Sequence, residues 1–116
     1  MNARCAAIFD RMRPGLEGQW EATLPLDLFH KLRNNVANLK VEFIKDCPNM
    51  SKEDLACAEG DSTAAIAECQ SQPEDKREQC MYEADREATN PLNCKGITAL
   101  MDGTGARWMK MYGLDQ

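Results

Sequence analysis

The sequence contains few of the residues and patterns on which metal and cofactor chemistry depends. It has one histidine in 116 residues, and none of its six cysteines belongs to a C-x2-C pair. A structural zinc site usually takes its ligands from two closely spaced pairs, so we expect no metal. Runs of about 18 apolar residues are also absent, so we predict no transmembrane segment.

Catalytic motifs are missing as well. The sequence has no G-x-S-x-G, phosphate-binding P-loop or H-E-x-x-H pattern. We expect His30, the sole imidazole, to be solvated, and we expect Gly103 and Gly105 to form a flexible turn. The neighbouring carboxylates Glu53 and Asp54 fall in the first turn of a predicted helix, where they favour the helix dipole. We therefore predict a noncatalytic protein without a cofactor.

The charge is negative and unevenly distributed. Nineteen acidic and fourteen basic residues leave a net charge of -5, which opposes binding to nucleic acid or anionic lipid. Residues 51–90 hold eleven acidic and four basic residues, a local charge of -7. We expect any electrostatic partner to meet this acidic third of the chain.

The length is that of one domain, and apolar residues recur at helical spacing, without a credible strand. We predict an all-α fold in which a small disulfide-stapled helical hairpin is flanked by short helices. The predicted helix at the N-terminus stops at Pro14, and a linker containing Trp20 follows. The segments are an N-terminal helix in residues 1–15, a long amphipathic helix in 26–46, a cysteine hairpin in 47–88, and a C-terminal helix with an aromatic tail in 92–116.

Six cysteines in so short a chain favour a disulfide framework. If residues 47–57 and 69–80 form the arms of a helical hairpin, Cys57 faces Cys69 and Cys47 faces Cys80. The gaps of nine and ten residues span nearly three helical turns, which places both cysteines of each arm near one face. The two cysteines left over either bridge each other or remain buried thiols: Cys5 and Cys94.

This spacing resembles that of the coiled-coil-helix-coiled-coil-helix proteins of the mitochondrial intermembrane space, which carry twin C-x9-C motifs. The matching motifs are Cys47–Cys57 and Cys69–Cys80, within about residues 39–84. The resemblance implies that the hairpin is oxidised by a disulfide relay during import. The relay binds an aromatic residue near one cysteine, and Phe43 has that position here. The double cysteine of the family's copper carriers is absent, so no copper is expected.

Aromatic residues outside the cysteine hairpin are candidates for binding a protein partner. Trp108, Met111 and Tyr112 follow the glycine pair near the end of the chain, and Trp20 lies in the predicted linker. Exposed Trp, Tyr and Met are common anchors of protein interfaces. The alternative is that these side chains cover the helical core.

The resemblance predicts an accessory or assembly subunit of a mitochondrial respiratory or ATP-synthase complex. It would bind protein subunits on the intermembrane-space side, peripheral to a membrane complex. The alternative is a secreted or periplasmic disulfide-rich helical binding or immunity protein, since disulfides suit those compartments equally well. Residues 1–15 lack the apolar stretch of a secretory signal and form either a core helix or an Arg-rich presequence. Asn49 begins a glycosylation sequon, and a glycan there would indicate the secretory pathway.

Overall fold

The computed structural model describes residues 2–114, and within that range it is built from helices and turns without a strand. Three disulfides join the helices, which confirms the predicted all-α, disulfide-stapled class. Two short 3₁₀ turns lie at Cys47–Asn49 and Pro91–Asn93. The helices are α1 (Ala3–Thr23), α2 (Leu26–Asn34), α3 (Val36–Asp46), α4 (Lys52–Ala58), α5 (Thr63–Cys69), α6 (Glu74–Thr89) and α7 (Lys95–Met111).

Helix α1 continues past Pro14, so the predicted end at residue 15 and the predicted linker are wrong. A proline inside a helix costs about 3 kcal/mol, since it removes one hydrogen bond and crowds the preceding turn. The apolar face of α1 nevertheless extends across Pro14, from Phe9 and Met12 to Leu16, all of which are buried. Burying a large apolar side chain contributes about 1.5–3 kcal/mol. Burial beyond Pro14, together with the packing of Trp20, offsets the cost of the proline.

The predicted long helix in residues 26–46 is two helices, separated at Asn35. The Asn35 side-chain amide donates a hydrogen bond to the Lys31 carbonyl at 2.8 Å. Its backbone carbonyl accepts one from the Trp108 indole at 3.0 Å. Asparagine side chains compete with the helix for backbone groups, and the indole stabilises the break from outside.

Helix α7 runs through Gly103 and Gly105, where the sequence predicts a turn. Each glycine inside a helix costs about 1 kcal/mol relative to alanine. The helix continues because Ile97, Thr104 and Trp108 are buried along its face. Tertiary packing therefore outweighs the local preference of the two glycines.

The core lies where α1, α3 and α7 meet, with α2 and α4 at its edges. Phe9 of α1 packs against Phe43 of α3 with ring centroids 5.5 Å apart. Trp20 of α1 stacks on Trp108 of α7 at 5.7 Å, with 16° between the ring planes. These two aromatic contacts fix α1 against both partner helices.

Each disulfide joins elements other than those that the cysteine spacing predicts to pair. The first ties the start of α1 to the end of α3, and the second ties α4 to the residue before α7. The third closes the turn between α5 and α6. The bonded pairs are Cys5–Cys47, Cys57–Cys94 and Cys69–Cys80.

The predicted pairings are wrong because residues 47–57 do not form one helical arm. Residues 47–49 form a 3₁₀ turn, and Met50 is extended. The Ser51 hydroxyl then accepts a hydrogen bond from the Asp54 amide and caps the start of α4. The two cysteines at the ends of this segment therefore belong to different elements. The expected bonds Cys47–Cys80 and Cys57–Cys69 are not formed. Cys5 and Cys94 neither bridge each other nor remain free thiols, because each is bonded to a cysteine of the predicted hairpin.

Helices α5 and α6 form an antiparallel hairpin, residues 63–89, which we call the arm. Only Cys69 and Ala88 among its side chains are buried. The arm packs on α4 and on the turn before α7, and the described chain measures 50 × 31 × 19 Å. Such an elongated shape fits a compact body, residues 2–62 and 90–114, from which the arm extends.

Candidate functional site

The aromatic residues predicted to bind a partner do not share one surface. Phe43 is fully buried in the core, and Trp108 is almost fully buried. Trp20 is half-buried on top of Trp108. Met111 and Tyr112, at the end of α7, are 54% and 41% exposed. Of the five residues predicted to bind a partner, only these last two are exposed in the folded chain.

An apolar cleft of about 370 Å³ lies between α1 and α7 beside the stacked indoles. Its polar rim includes Gln19 and Asp102. Trp108 forms its inner wall and is held there by the hydrogen bond to Asn35. The apolar lining comprises Leu16, Trp20, Leu32, Leu39, Leu92, Ile97, Met101, Trp108 and Met109.

A second cleft, which we call the acidic cleft, lies at the base of the arm, where α4, α5, α6 and the start of α7 converge. Its volume is about 190 Å³. Small side chains and the cysteines of one disulfide line its floor: Ala56, Ala64, Ala65, Ala84, Ala88, Cys57 and Cys94. Charged side chains form its rim: Glu53, Asp54, Asp61, Glu68, Glu87 and Lys95.

The rim carboxylates make no ion pair with any residue in the range 2–114. Asp61 instead accepts a hydrogen bond from the Thr63 amide at 3.0 Å, and its hydrogen bonds with Thr63 lower the pKa of that carboxyl. Five other carboxylates on the body do have a basic partner. The paired ones are Asp10, Glu17, Glu42, Asp46 and Glu59. The negative charge of the acidic cleft is thus left open to solvent.

Arg11 of α1 attaches the base of the arm to the body. Its guanidinium donates to the carbonyls of Ala58, Ala88 and Thr89 at 3.2, 3.0 and 3.3 Å. These carbonyls lie at the C-terminal ends of α4 and α6, where the helix dipole favours a cation. Gly60, with φ of +87°, comes within 3 Å of the same guanidinium if a Cβ is added. Arg11 therefore holds one wall of the acidic cleft in place.

The other notable charged cluster joins α3 to α7 and is structural. Arg107 contacts the buried Glu42 carboxylate at 3.0 Å and Asp46 at 2.8 Å. Hydrogen bonds from Lys45 and Arg107 lower the pKa of Glu42 despite its burial. Burial raises the pKa of Asp46, but hydrogen bonds from Thr104 and Arg107 outweigh it and leave that pKa below its ordinary value. Both carboxyls are ionised partners of Arg107, which ties α7 to α3.

His30 is exposed on α2, with its ring 5.5 Å from that of Phe29. Between residues 2 and 114, no three histidine, cysteine or carboxylate side chains gather as metal ligands would. No helix in that same part of the chain combines the length and apolar character needed to cross a bilayer.

Comparison of the chain with protein-family models, curated proteins and solved structures gives no match. The acidic third of the chain was visible in the sequence as a cluster of charges. The alanine floor of the acidic cleft was not, because its residues come from three helices whose packing depends on the Cys57–Cys94 bond. The alanines at one- to four-residue spacing in α5 and α6 are the only sequence signal for it.

Proposed function

We propose that the chain is a noncatalytic binding protein of an oxidising compartment that presents the arm and the acidic cleft to a protein partner. The observation that carries this proposal is the arm itself. It adds only two buried side chains to the protein, yet it is fixed by a disulfide of its own. The arm therefore adds little to the core and leaves nearly all of its side chains available to a partner.

The energetics of the arm support this interpretation. Fixing the backbone of one residue costs about 1–2 kcal/mol, and isolated helices shorter than about 12 residues are marginal in water. Helix α5 has only seven residues. The Cys69–Cys80 bond closes a loop with a sequence separation of 11, which offsets about 3 kcal/mol of that cost in the chain-entropy model. A segment maintained in this way stabilises the body little, so we assign it a binding role.

A secreted or periplasmic setting is the compartment that we favour. All six cysteines are bonded in three pairs, and such bonds persist in oxidising environments. Two of the bonds cross-link segments of the body that are far apart in the sequence, which suits a small protein that must survive outside the cell. In this setting the acidic arm would bind and block, or shield, a basic surface of another protein.

The second candidate is an accessory or assembly subunit of a respiratory or ATP-synthase complex in the mitochondrial intermembrane space. The C-x9-C and C-x10-C spacing favours it, as does Phe43 four residues before Cys47. An import relay would engage Phe43 in the unfolded chain, before that side chain is buried. The partner in this candidate is a subunit of the complex.

A disulfide map of protein from its native source tests the compartment. Thiols are blocked with N-ethylmaleimide during lysis, and unreduced peptides are identified by mass spectrometry. We expect the pairs Cys5–Cys47, Cys57–Cys94 and Cys69–Cys80. Six blocked thiols would refute an oxidising compartment. The bonds Cys47–Cys80 and Cys57–Cys69 would overturn the arrangement of helices on which the arm and the acidic cleft depend.

Recovery of the partner tests the binding role of the arm. Tagged wild-type chain and the double variant C69A/C80A are expressed in the native host and purified under gentle conditions. We expect a basic protein to co-purify in fixed ratio with the wild type and to be lost from the variant. Equal recovery by both forms would overturn the assignment of the arm as the binding element.

A further inference from the structure

We propose that the acidic cleft receives one lysine or arginine side chain of the partner protein. This inference rests on the proposed function and adds the chemistry of the contact. The occupant follows from three properties of the acidic cleft: its size, the apolar character of its floor, and the unpaired carboxylates of its rim.

The size of the acidic cleft fits a single long side chain. Its volume is about 190 Å³, whereas pockets for drug-sized ligands have about 300–1,000 Å³. A cofactor or a bulky metabolite is therefore too large. One extended side chain inserted from a protein surface is of the right order.

The floor of the acidic cleft suits the aliphatic part of that side chain. Ala64 and Ala65 of α5, Ala84 and Ala88 of α6, and Ala56 of α4 all line the acidic cleft. Lysine and arginine bury their methylene stems on apolar surface and keep the charged head at a polar rim. Methyl groups leave room for such a stem, and larger side chains at these positions would fill the space.

The rim supplies the complementary charge. Glu53, Asp54, Asp61, Glu68 and Glu87 lie around the opening and form no ion pair within the described range. They are spread around the opening and do not converge as ligands of one metal ion would. An organic cation on a flexible stem can reach such a distributed set of oxygens. Lys95 is the one basic residue on the rim, so the rim as a whole remains strongly negative.

The walls of the acidic cleft are fixed before binding. The Cys57–Cys94 bond joins α4 to the start of α7, and Arg11 holds the ends of α4 and α6. The Ser62 hydroxyl donates to Asp85 at 2.8 Å and links the start of α5 to α6. Preorganisation of this kind reduces the entropy lost on binding.

The test is a titration of the full chain with two peptides, followed by ¹H–¹⁵N NMR. Both peptides are acetylated, amidated and otherwise polar; one carries a central lysine and the other carries norleucine at that position. We expect the lysine peptide to shift the amides of Ala64, Ala65 and Ala84, and we expect at least a tenfold weaker response to norleucine. Raising the salt from 50 to 300 mM should weaken lysine binding several-fold. Equal responses to both peptides would overturn the proposal.

Two matched charge variants distinguish binding in the acidic cleft from nonspecific electrostatic attraction to the arm. E68Q/E87Q removes two rim carboxylates, and E78Q/E83Q removes two arm carboxylates that do not line the acidic cleft. We expect the first to weaken lysine-peptide binding at least fivefold and the second less than twofold. Equal weakening would overturn the proposal, because binding would then follow net charge alone.

A third variant, A84L, fills the floor without changing charge and should abolish binding while circular dichroism shows an intact fold. The same variants are then used with the natural partner. If the partner is lost from C69A/C80A but retained by E68Q/E87Q and A84L, the inference about the acidic cleft fails and the proposed function stands. If C69A/C80A retains the partner, the proposed function itself fails.

Discussion

Removal of the Cys69–Cys80 bond should unfold the arm and leave the body folded. The sequence separation of 11 corresponds to about 3 kcal/mol in the chain-entropy model. Apart from Cys69, the arm buries only the side chain of Ala88. Its burial contributes less free energy than that of one leucine, which is too little to offset the loss. Helix α5, of seven residues, cannot persist alone. The expected product is a folded body with a disordered arm.

Amide hydrogen exchange and far-ultraviolet circular dichroism of C69A/C80A measure this outcome. Ellipticity should fall by the share of α5 and α6, which are seven and sixteen residues long. Amides of residues 63–89 should lose about a hundredfold of protection, the equivalent of about 3 kcal/mol. Amides around Ile8, Phe43 and Ile97 should keep theirs, because those residues lie in the core.

The matched control is C5A/C47A, which removes a bond with a sequence separation of 42 inside the body. It should lower the global free energy of unfolding by about 4 kcal/mol and shift the whole urea transition. If C69A/C80A also shifts the whole transition, or if its arm keeps full protection, then the arm is not an independent unit and the reasoning above is wrong.

Replacing Arg107 by Met removes its bond to the buried Glu42 carboxylate and should lower the free energy of unfolding at pH 7 by about 2–3 kcal/mol in urea titrations. The folded-state pKa of Glu42 lies below its ordinary 4.5. The stabilisation by Arg107 is therefore fully present above pH 4.5 and is lost as the pH falls through the folded-state pKa. A difference in stability between wild type and variant that persists in acid would contradict the prediction. Gly96→Ala places a Cβ against the Asp54 side chain and should cost about 1–3 kcal/mol in thermal unfolding. Its control, Gly103→Ala, meets nothing within 4 Å and should be neutral or stabilise the chain by up to about 1 kcal/mol; equal effects of the two glycine variants would refute the packing argument.

The presence of helices and several of their ends could be read from local sequence. Ser51, a residue type common at helix N-caps, directly precedes α4, and α6 begins directly after Pro73 and ends at Thr89, before Asn90 and Pro91. These signals are local, because they depend on backbone conformation and on hydrogen bonds within a few residues. The acidic character of the arm could also be predicted, because it follows from counting the charged residues along the chain.

The full lengths of α1 and α7 could not be predicted from local signals. Pro14 and Gly103 both indicate breaks, and both lie inside continuous helices. Local preference of about 1–3 kcal/mol per residue was outweighed by the burial of Leu16 and Trp108, which depends on contacts with distant helices. The opposite error occurs at Asn35. The apolar pattern continues through this residue and predicts one helix, but the structure has a break there.

Local sequence is enough to predict a small helical chain with six cysteines that pair and a surplus of negative charge in residues 51–90. Which cysteines meet, and where the acidic cleft forms, depend on how distant helices pack. Local signals act within one segment, whereas these two outcomes arise between segments. The partner of Cys57 depends on how α4 packs on α7, and the alanine floor requires three helices to converge, so neither outcome is encoded within any one segment.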